Sequence, residues 1–285
     1  MLAELQERYN GELLALTSAK LFADGVLDNK SALLLEPYTD DPENSGVSVW
    51  TQDAMNAAVA AVNARGVQAH THAIGDGAVR MALDAAQYAA DNVQGGDCRN
   101  TITHLQLVSE EDMPRFGELD VTAIEQPYWF LKEDSFWAEV EYAAIGERAE
   151  DEYPARALLD QGARLAFSSD YPVTEVPNPF LAVEAGVTRN LTEGRENGIR
   201  DITDMDDPAY LLGAEERLTV QEMIRGFTAD AAYSIFAEDV TGTLEVGKSA
   251  DMIVIDQDLL TIDPIDISDT GVVRTYLKGQ LVYSN

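Results

Sequence analysis

GVQAHTHAIGD (66–76), running directly into GAVRMALDAAQYAADN (77–92), decides how the chain reads. The first block is a short apolar segment that ends in polar residues and a glycine. The second is Ala-rich with apolar residues at a 3.6-residue period, so a strand feeds a helix. The same order recurs to either side. LALTSAKLFADG (14–25), NTITHLQLV (100–108), LDVTAIEQPYW (119–129) and GARLAFSSDYPV (162–173) read as further strands. Thr51–Arg65, Ser109–Glu118 and Trp137–Gln161 read as the helices between them, with Ser109 of SEED (109–112) as an N-cap. Strand alternating with helix predicts right-handed βαβ units on a parallel sheet, an α/β fold. Leu2, Leu5, Tyr9 and Leu13 predict an opening amphipathic helix. Beyond the last strand come a helix over Pro179–Arg189 and a long solvated loop over 191–210. Two helical segments follow in Leu218–Phe236, broken near Thr228–Asp230. From Thr241 the character changes: TGTLEVGKSADMIVIDQD and GVVRTYLKGQLVY alternate apolar and polar residues, the pattern of antiparallel strands. A boundary is expected near residue 239, dividing the chain into 1–238 and 239–285.

Composition narrows the function classes. With 285 residues and 46% hydrophobic content the chain can bury a sizeable core, which excludes disordered and collagen-like classes. Asp and Glu number 51 against 19 Lys and Arg, a formal charge of −32 that repels phosphate backbones and anionic membrane surfaces. Neither a nucleic-acid nor a membrane partner is expected. Lysine is scarce, confined to Lys20, Lys30, Lys132, Lys248 and Lys278, and acid excess with few lysines fits a halophilic protein whose self-repulsion is screened by salt. A single cysteine, Cys98, excludes a disulfide framework and a cysteine-based zinc site. The start MLAELQERYN has no basic region before an apolar one, and no apolar run approaches the ~20 residues of a spanning helix. A cytoplasmic protein is the expectation.

The three histidines all fall at or near predicted strand ends: His70 and His72 on one strand, His104 on the next, while Asp170 closes a later strand in SSD. In parallel α/β folds the C-terminal strand edge gathers catalytic groups under a rim of loops. Imidazoles and a carboxylate suit Zn²⁺ or a similar divalent ion. The same residues also serve as ordinary strand-end polar groups, with Asp170 capping a turn, and spacing alone leaves both readings open. His70 and His72 are two apart and share a face, so either both ligate or one supports the other. Asp76 reads as the cap of the helix starting near Gly77. Lys20 is left open by chemistry alone: an ammonium is no metal ligand until neutralised, and the plain alternative is a lysine snorkelling at a strand end.

The blocks KLFADG (20–25), HAIGD (72–76), ITHLQLV (102–108), EQPYW (125–129), SSDYPV (168–173), LTVQEMIRGFTADAA (218–232) and GTLEVGKSADMIVID (242–256) resemble successive motifs of the amidohydrolase superfamily. They are most similar to its YtcJ-like branch, which includes N-substituted formamide deformylases. The resemblance implies a (β/α)8 TIM-barrel hydrolase with one or two divalent metals, zinc foremost, at the strand ends. Carried over, Lys20 matches the strand-four lysine that can be carboxylated and bridge two metals. His72 matches the strand-five histidine, His104 the strand-six histidine, and Asp170 the strand-eight aspartate that contacts metal and takes a proton from water. His70 has no fixed role; Tyr128, Trp129 and Tyr171 are candidates for lining a pocket or for packing. The family's first H-x-H motif precedes its lysine, and nothing of that kind precedes Lys20. His70-Thr71-His72 follows the lysine and runs into AIGD, so it is not that pair. The resemblance therefore implies a partial barrel holding strands four to eight, followed by the C-terminal strands of a small β-sandwich. Open edges at the KLFADG and ARLAFSSD strands point to a second copy of the chain as partner, a homodimer. The activity implied is metal-dependent hydrolysis of amide or other C–N bonds in small molecules. A catalytically inactive partial barrel that persists through oligomerisation is the other reading.

Salt dependence follows from the charge. Screening weakens repulsion among carboxylates, so the melting temperature is expected to rise between low and molar salt. A flat or falling midpoint in thermal melts would overturn the halophilic reading.

Overall fold

Apolar segments at the predicted positions pair as strands, and the amphipathic stretches between them close as helices. The computed structural model describes residues 2–11, 14–132, 136–190, 204–208 and 210–285. They divide into two compact units, one of Met1–Ile124, Ala143–Gly146 and Ala157–Leu165, the other of Glu125–Tyr142, Glu147–Arg156 and Ala166–Asn285. Among the described residues, no helix is long and apolar enough to cross a membrane.

In chain order the first elements are α1 (Leu2–Arg8), β1 (Ser18–Phe22), α2 (Gln52–Asn63), β2 (Gln68–Ala73), α3 (Asp76–Asn92), β3 (Thr101–His104), α4 (Met113–Glu118), β4 (Thr122–Glu125) and β5 (Arg164–Phe167). Leu13, counted in the opening helix, lies outside the described residues. The five strands form one sheet in the order β1-β2-β3-β4-β5. Pairing is parallel from β1 through β4: Lys20 stands beside His70, Phe22 beside His72, His70 beside Thr101 and Thr101 beside Thr122. β2, β3 and β4 are buried almost throughout, as expected of a parallel sheet covered on its faces. Met55 and Val59 of α2 and Val79, Ala82, Leu83 and Ala86 of α3 join Val67, Ala69 and Ile102 in the core. Thr51 caps α2, its hydroxyl accepting from the Ala54 amide at 3.3 Å.

Several local expectations are corrected. Asp76 is not the cap of α3 but its first residue; its Oδ1 accepts from the amides of Gly77 and Leu35, each at 2.9 Å. Ser109 does not cap α4. It opens a turn in which its carbonyl takes the amides of Asp112 and Met113, and the helix starts later, at Met113 with Pro114 next. The single helix expected over Trp137–Gln161 is several short turns: a π turn at Trp137–Glu141, α at Tyr142–Ile145, 3-10 at Gly146–Asp151 and α at Ala155–Asp160. Gly146 at φ 65° and Pro154 interrupt any continuous helix there. The loop expected over 191–210 lies outside the described residues, apart from 204–208 and 210.

The second unit holds helices at Pro179–Thr188, Val220–Phe227 and Ala229–Ser234, the latter two broken at Thr228 as the sequence predicts. Thr219 and Glu222 form a capping box at Val220–Phe227. Strands β6 (Met252–Ile255), β7 (Val272–Leu277) and β8 (Gln280–Ser284) make an antiparallel sheet, whereas the expected strand signal over 241–251 yields turns. Arg189 ends the Pro179–Thr188 helix in the left-handed region at φ 57°. It is fully buried, donating to the carbonyls of Leu212, Tyr153 and Glu152 at 2.9, 3.1 and 2.8 Å, and its guanidinium lies 4.6 Å from the centre of the Phe130 ring. Glu125 is buried as deeply, and neither of its oxygens has a hydrogen-bond partner among the described residues. Burial pushes this carboxyl up to about 8, against the pull of Arg189, whose own pKa burial draws down to about 10.

A raised folded-state pKa means the native state holds the proton longer than the unfolded chain does. Stability from Glu125 is therefore full at acid pH and lost as pH rises from about 4.5 to about 8, at up to ~1.4 kcal/mol per pH unit. Glu125→Gln removes that loss. The variant is expected to gain stability relative to wild type between pH 5 and pH 8 in denaturant titrations, and a pH-independent difference would contradict the assignment.

Candidate metal centre

The site begins with the side-chain order that parallel pairing imposes. Because Lys20 and Phe22 stand in register with His70 and His72, these four project from the same face of β1 and β2. Lys20 Nζ lies 5.3 Å from the centre of the Phe22 ring, and that ring lies 5.0 Å from the His72 ring. Phe22 is half exposed, whereas His72 is buried.

His104 pairs with Ala73, not with His72. Regular alternation would turn its ring to the opposite face. The backbone prevents this: His104 has φ 84° and Leu105 φ 54°, two successive non-glycine residues with positive φ. Such conformations are uncommon, cost on the order of 1–3 kcal/mol each and cluster at functional sites. With the alternation broken, the His104 ring meets the His72 ring, centres 4.5 Å apart and planes at 66°. That spacing and tilt are those of an edge-to-face ring pair. In donor chemistry, two buried imidazoles suit a divalent metal.

His70 takes a different place. Its Nδ1 is 2.6 Å from the Thr101 hydroxyl, and burial, the Lys20 ammonium and His72 together pull its pKa down to about 4, so the ring stays neutral near pH 7. Asp24 is the residue the sequence reading missed. Only 3% exposed, it sits just past β1, and its Oδ1 accepts from the Ile74 amide at 3.1 Å while its Oδ2 accepts from Gly75 and Leu33 at 2.9 Å each. Burial raises its pKa to about 6 against those three backbone donors. The neighbouring Gly25 carbonyl lies 2.9 Å from His72 Nε2, and Asp24 Oδ1 lies 3.5 Å from the same nitrogen. The signal was present in KLFADG, where an aspartate follows an apolar strand and precedes a glycine.

Asp170 belongs to the other compact unit, just after β5, with an exposed side chain and φ 52°. Tyr128 is buried in the 3-10 turn Pro127–Trp129, burial raising its hydroxyl to about 12; Trp129 is partly buried and Tyr171 is exposed. Asp76 faces Leu35 and Gly77 as described above. The structure thus brings Lys20, His70, His72 and His104 into one neighbourhood. Among the described residues, no three His, Cys, Asp or Glu side chains form a complete metal cluster.

Known proteins match the chain over nearly its whole length. The sequence model of the amidohydrolase family matches residues 2–283. The chain is 28% identical over 281 residues to YtcJ of Bacillus subtilis, covering 98% of this chain and 49% of that protein. It is 23% identical over 240 residues to the N-substituted formamide deformylase of Arthrobacter pascens, covering 84% of this chain and 40% of that protein. Among solved structures, an uncharacterized metal-dependent hydrolase from Pyrococcus furiosus superimposes with a TM-score of 0.71 at 31% identity, covering 91% of this chain and 49% of that one. The chain spans about half the length of the curated relatives it matches.

The cage around Asp24 leaves no room at Gly75. A Cβ there would stand 2.0 Å from the Leu33 carbonyl oxygen, a backbone atom that cannot swing aside. Gly75→Ala is expected to cost at least ~1–3 kcal/mol in chemical denaturation. Unchanged stability would show that the two segments do not approach so closely.

Proposed function

We propose, from the premise that the chain belongs to the amidohydrolase family, that it carries part of the active site of a metal-dependent hydrolase acting on amide or other C–N bonds of small molecules. The observation that carries the reading is the edge-to-face meeting of His72 and His104, bought by an unusual backbone at His104. Two imidazoles brought together against the local alternation, at a cost in backbone conformation, mark a functional pair whose donors suit a metal. Zinc is the ion they fit best in ligand type, with cobalt or nickel close behind. The likeness to N-substituted formamide deformylase supports the C–N bond as target.

His72 and His104 would hold the metal, with Lys20 beside them as a further ligand once its ammonium is neutralised. When bound, such an ion polarises a carbonyl and lowers the pKa of a water toward ~7. The remaining work falls to the chain. The family resemblance gives Asp170 the part of general base, receiving a proton on a carboxylate oxygen and returning it to the leaving nitrogen. His70, kept neutral, anchors the β2 face through Thr101. Asp76 steadies the start of α3, and Tyr128, Trp129 and Tyr171 are carried over only as candidate pocket residues. In this reading the five strands are strands four to eight of a (β/α)8 barrel, and β6–β8 are part of a small β-sandwich. The protein is cytoplasmic and halophilic, and a second copy of the chain covers the β1 and β5 edges in a homodimer. A field of −32 formal charge concentrates divalent cations near the surface.

Protein purified without chelator is expected to contain zinc or a similar metal by elemental analysis. His72→Ala and His104→Ala each lower that content at least 10-fold, and hydrolysis of N-substituted formamides falls with it. Wild-type protein that binds no divalent metal overturns the reading.

A further inference from the structure

A carbonyl oxygen can only accept. Since the Gly25 carbonyl lies 2.9 Å from His72 Nε2, that nitrogen carries the hydrogen, and in the neutral ring the lone pair sits on Nδ1. Which nitrogen of His72 can face a metal is therefore settled by where the Gly25 carbonyl is held. Gly25 donates its own amide to the Ser31 carbonyl at 3.1 Å, in the loop that follows β1. The residue that ties this loop down is Asp24. Its two oxygens collect the amides of Leu33 from that loop and of Ile74 and Gly75 from the turn between β2 and α3. On the far side of that turn, Ile74 accepts from Leu107 beyond β3, and Ala73 accepts from Leu105, so the segment carrying His104 is joined to the same cage.

We propose that Asp24 is a positioning residue of the candidate metal centre, holding the Gly25 carbonyl against His72 Nε2 so that Nδ1 is the nitrogen presented for ligation. The inference rests on the metal-binding reading above for its purpose, though not for its geometry. At 3.5 Å the Asp24 carboxylate is too far from Nε2 to take its proton, yet its charge on that side favours the hydrogen there. Two effects then act together: a hydrogen bond to the carbonyl and an electrostatic bias from the carboxylate behind it. An aspartate that merely closed the loops would affect stability and leave the ring's tautomer alone.

The test reads the tautomer directly. Long-range ¹H–¹⁵N correlation spectra of the whole chain, at a pH where the ring is neutral, distinguish the two ring nitrogens. With three histidines in the sequence, His70→Gln and His104→Gln suffice for assignment. Metal-free wild type is expected to show His72 with its hydrogen on Nε2. Asp24→Asn is expected to shift His72 toward a mixture of tautomers and to weaken zinc binding, measured by chelator competition, by about 10–100-fold. Hydrogen on Nδ1 in wild type overturns the proposal, and so does a folded Asp24→Asn protein with unchanged tautomer and unchanged zinc affinity. Should that variant not fold, Asp24→Ser, which keeps one acceptor but removes the charge, is read in the same way, and an unchanged His72 tautomer in it overturns the proposal. A wild type that shows the Nε2 tautomer, loses it in Asp24→Asn and binds no zinc would support the positioning role and defeat the metal reading separately.

Discussion

Parallel pairing in register is the constraint on which the site depends. Once β1, β2 and β3 align as Lys20–His70–Thr101 and Phe22–His72–Thr103, the face on which each side chain stands is fixed by the pleat. That rule assembles Lys20, Phe22, His70 and His72 without any special device. It also excludes His104, which pairs with Ala73 and belongs by alternation to the other face. The positive φ values of His104 and Leu105 overcome the exclusion by ending the strand with a twist that returns the imidazole. Conformational energy is thus stored at the one position where regular geometry would have separated the two rings.

What keeps that position in place is a set of backbone hydrogen bonds with a carboxylate at its centre. Asp24 satisfies three amides from two different segments, a task that otherwise needs ordered water or a second strand. A buried carboxylate with several backbone donors tolerates burial because the donors replace much of its lost hydration. Glu125 has no such donors among the described residues, and its carboxyl is pushed far higher, to about 8 against about 6 for Asp24. The two carboxyls differ in hydrogen bonding more than in burial. Asp24 is accordingly held as a charge near neutral pH, while Glu125 is neutral through most of that range.

Much of this was legible in the sequence. Five apolar segments ending in polar residues and separated by 3.6-periodic stretches predict the parallel sheet, and all five appear in it. The nearness of His70, His72 and His104 was equally plain, because two of them share a strand and the third closes the next, although His70 stands in the middle of β2 and not at its end. Where the reading failed, the cause was local. Over Trp137–Gln161 the 3.6 period persists, but the left-handed Gly146 and the proline at 154 divide it into separate turns, so periodicity overstated continuity. Over 241–251 apolar and polar residues alternate without forming a ladder, and only the segment from Met252 finds a partner strand. Alternation shows that a strand could be half buried, not that a neighbour is there to bond it.

Asp24 was missed for a different reason. In KLFADG the lysine draws attention as the group that can reach a metal, and the aspartate four residues on looks like a turn former before glycine. Its role becomes visible only when the turn after β2 is placed beside it, because its partners Ile74 and Gly75 lie some fifty positions along the chain. Gly75 supplies the corroborating detail. Its amide must reach Asp24 while its Cα passes against the Leu33 carbonyl, and that approach admits no side chain. The aspartate of one motif and the glycine of the next therefore form a single device. Neither residue discloses it alone, because what defines it is the distance between two turns brought together by the parallel pairing of β1 and β2.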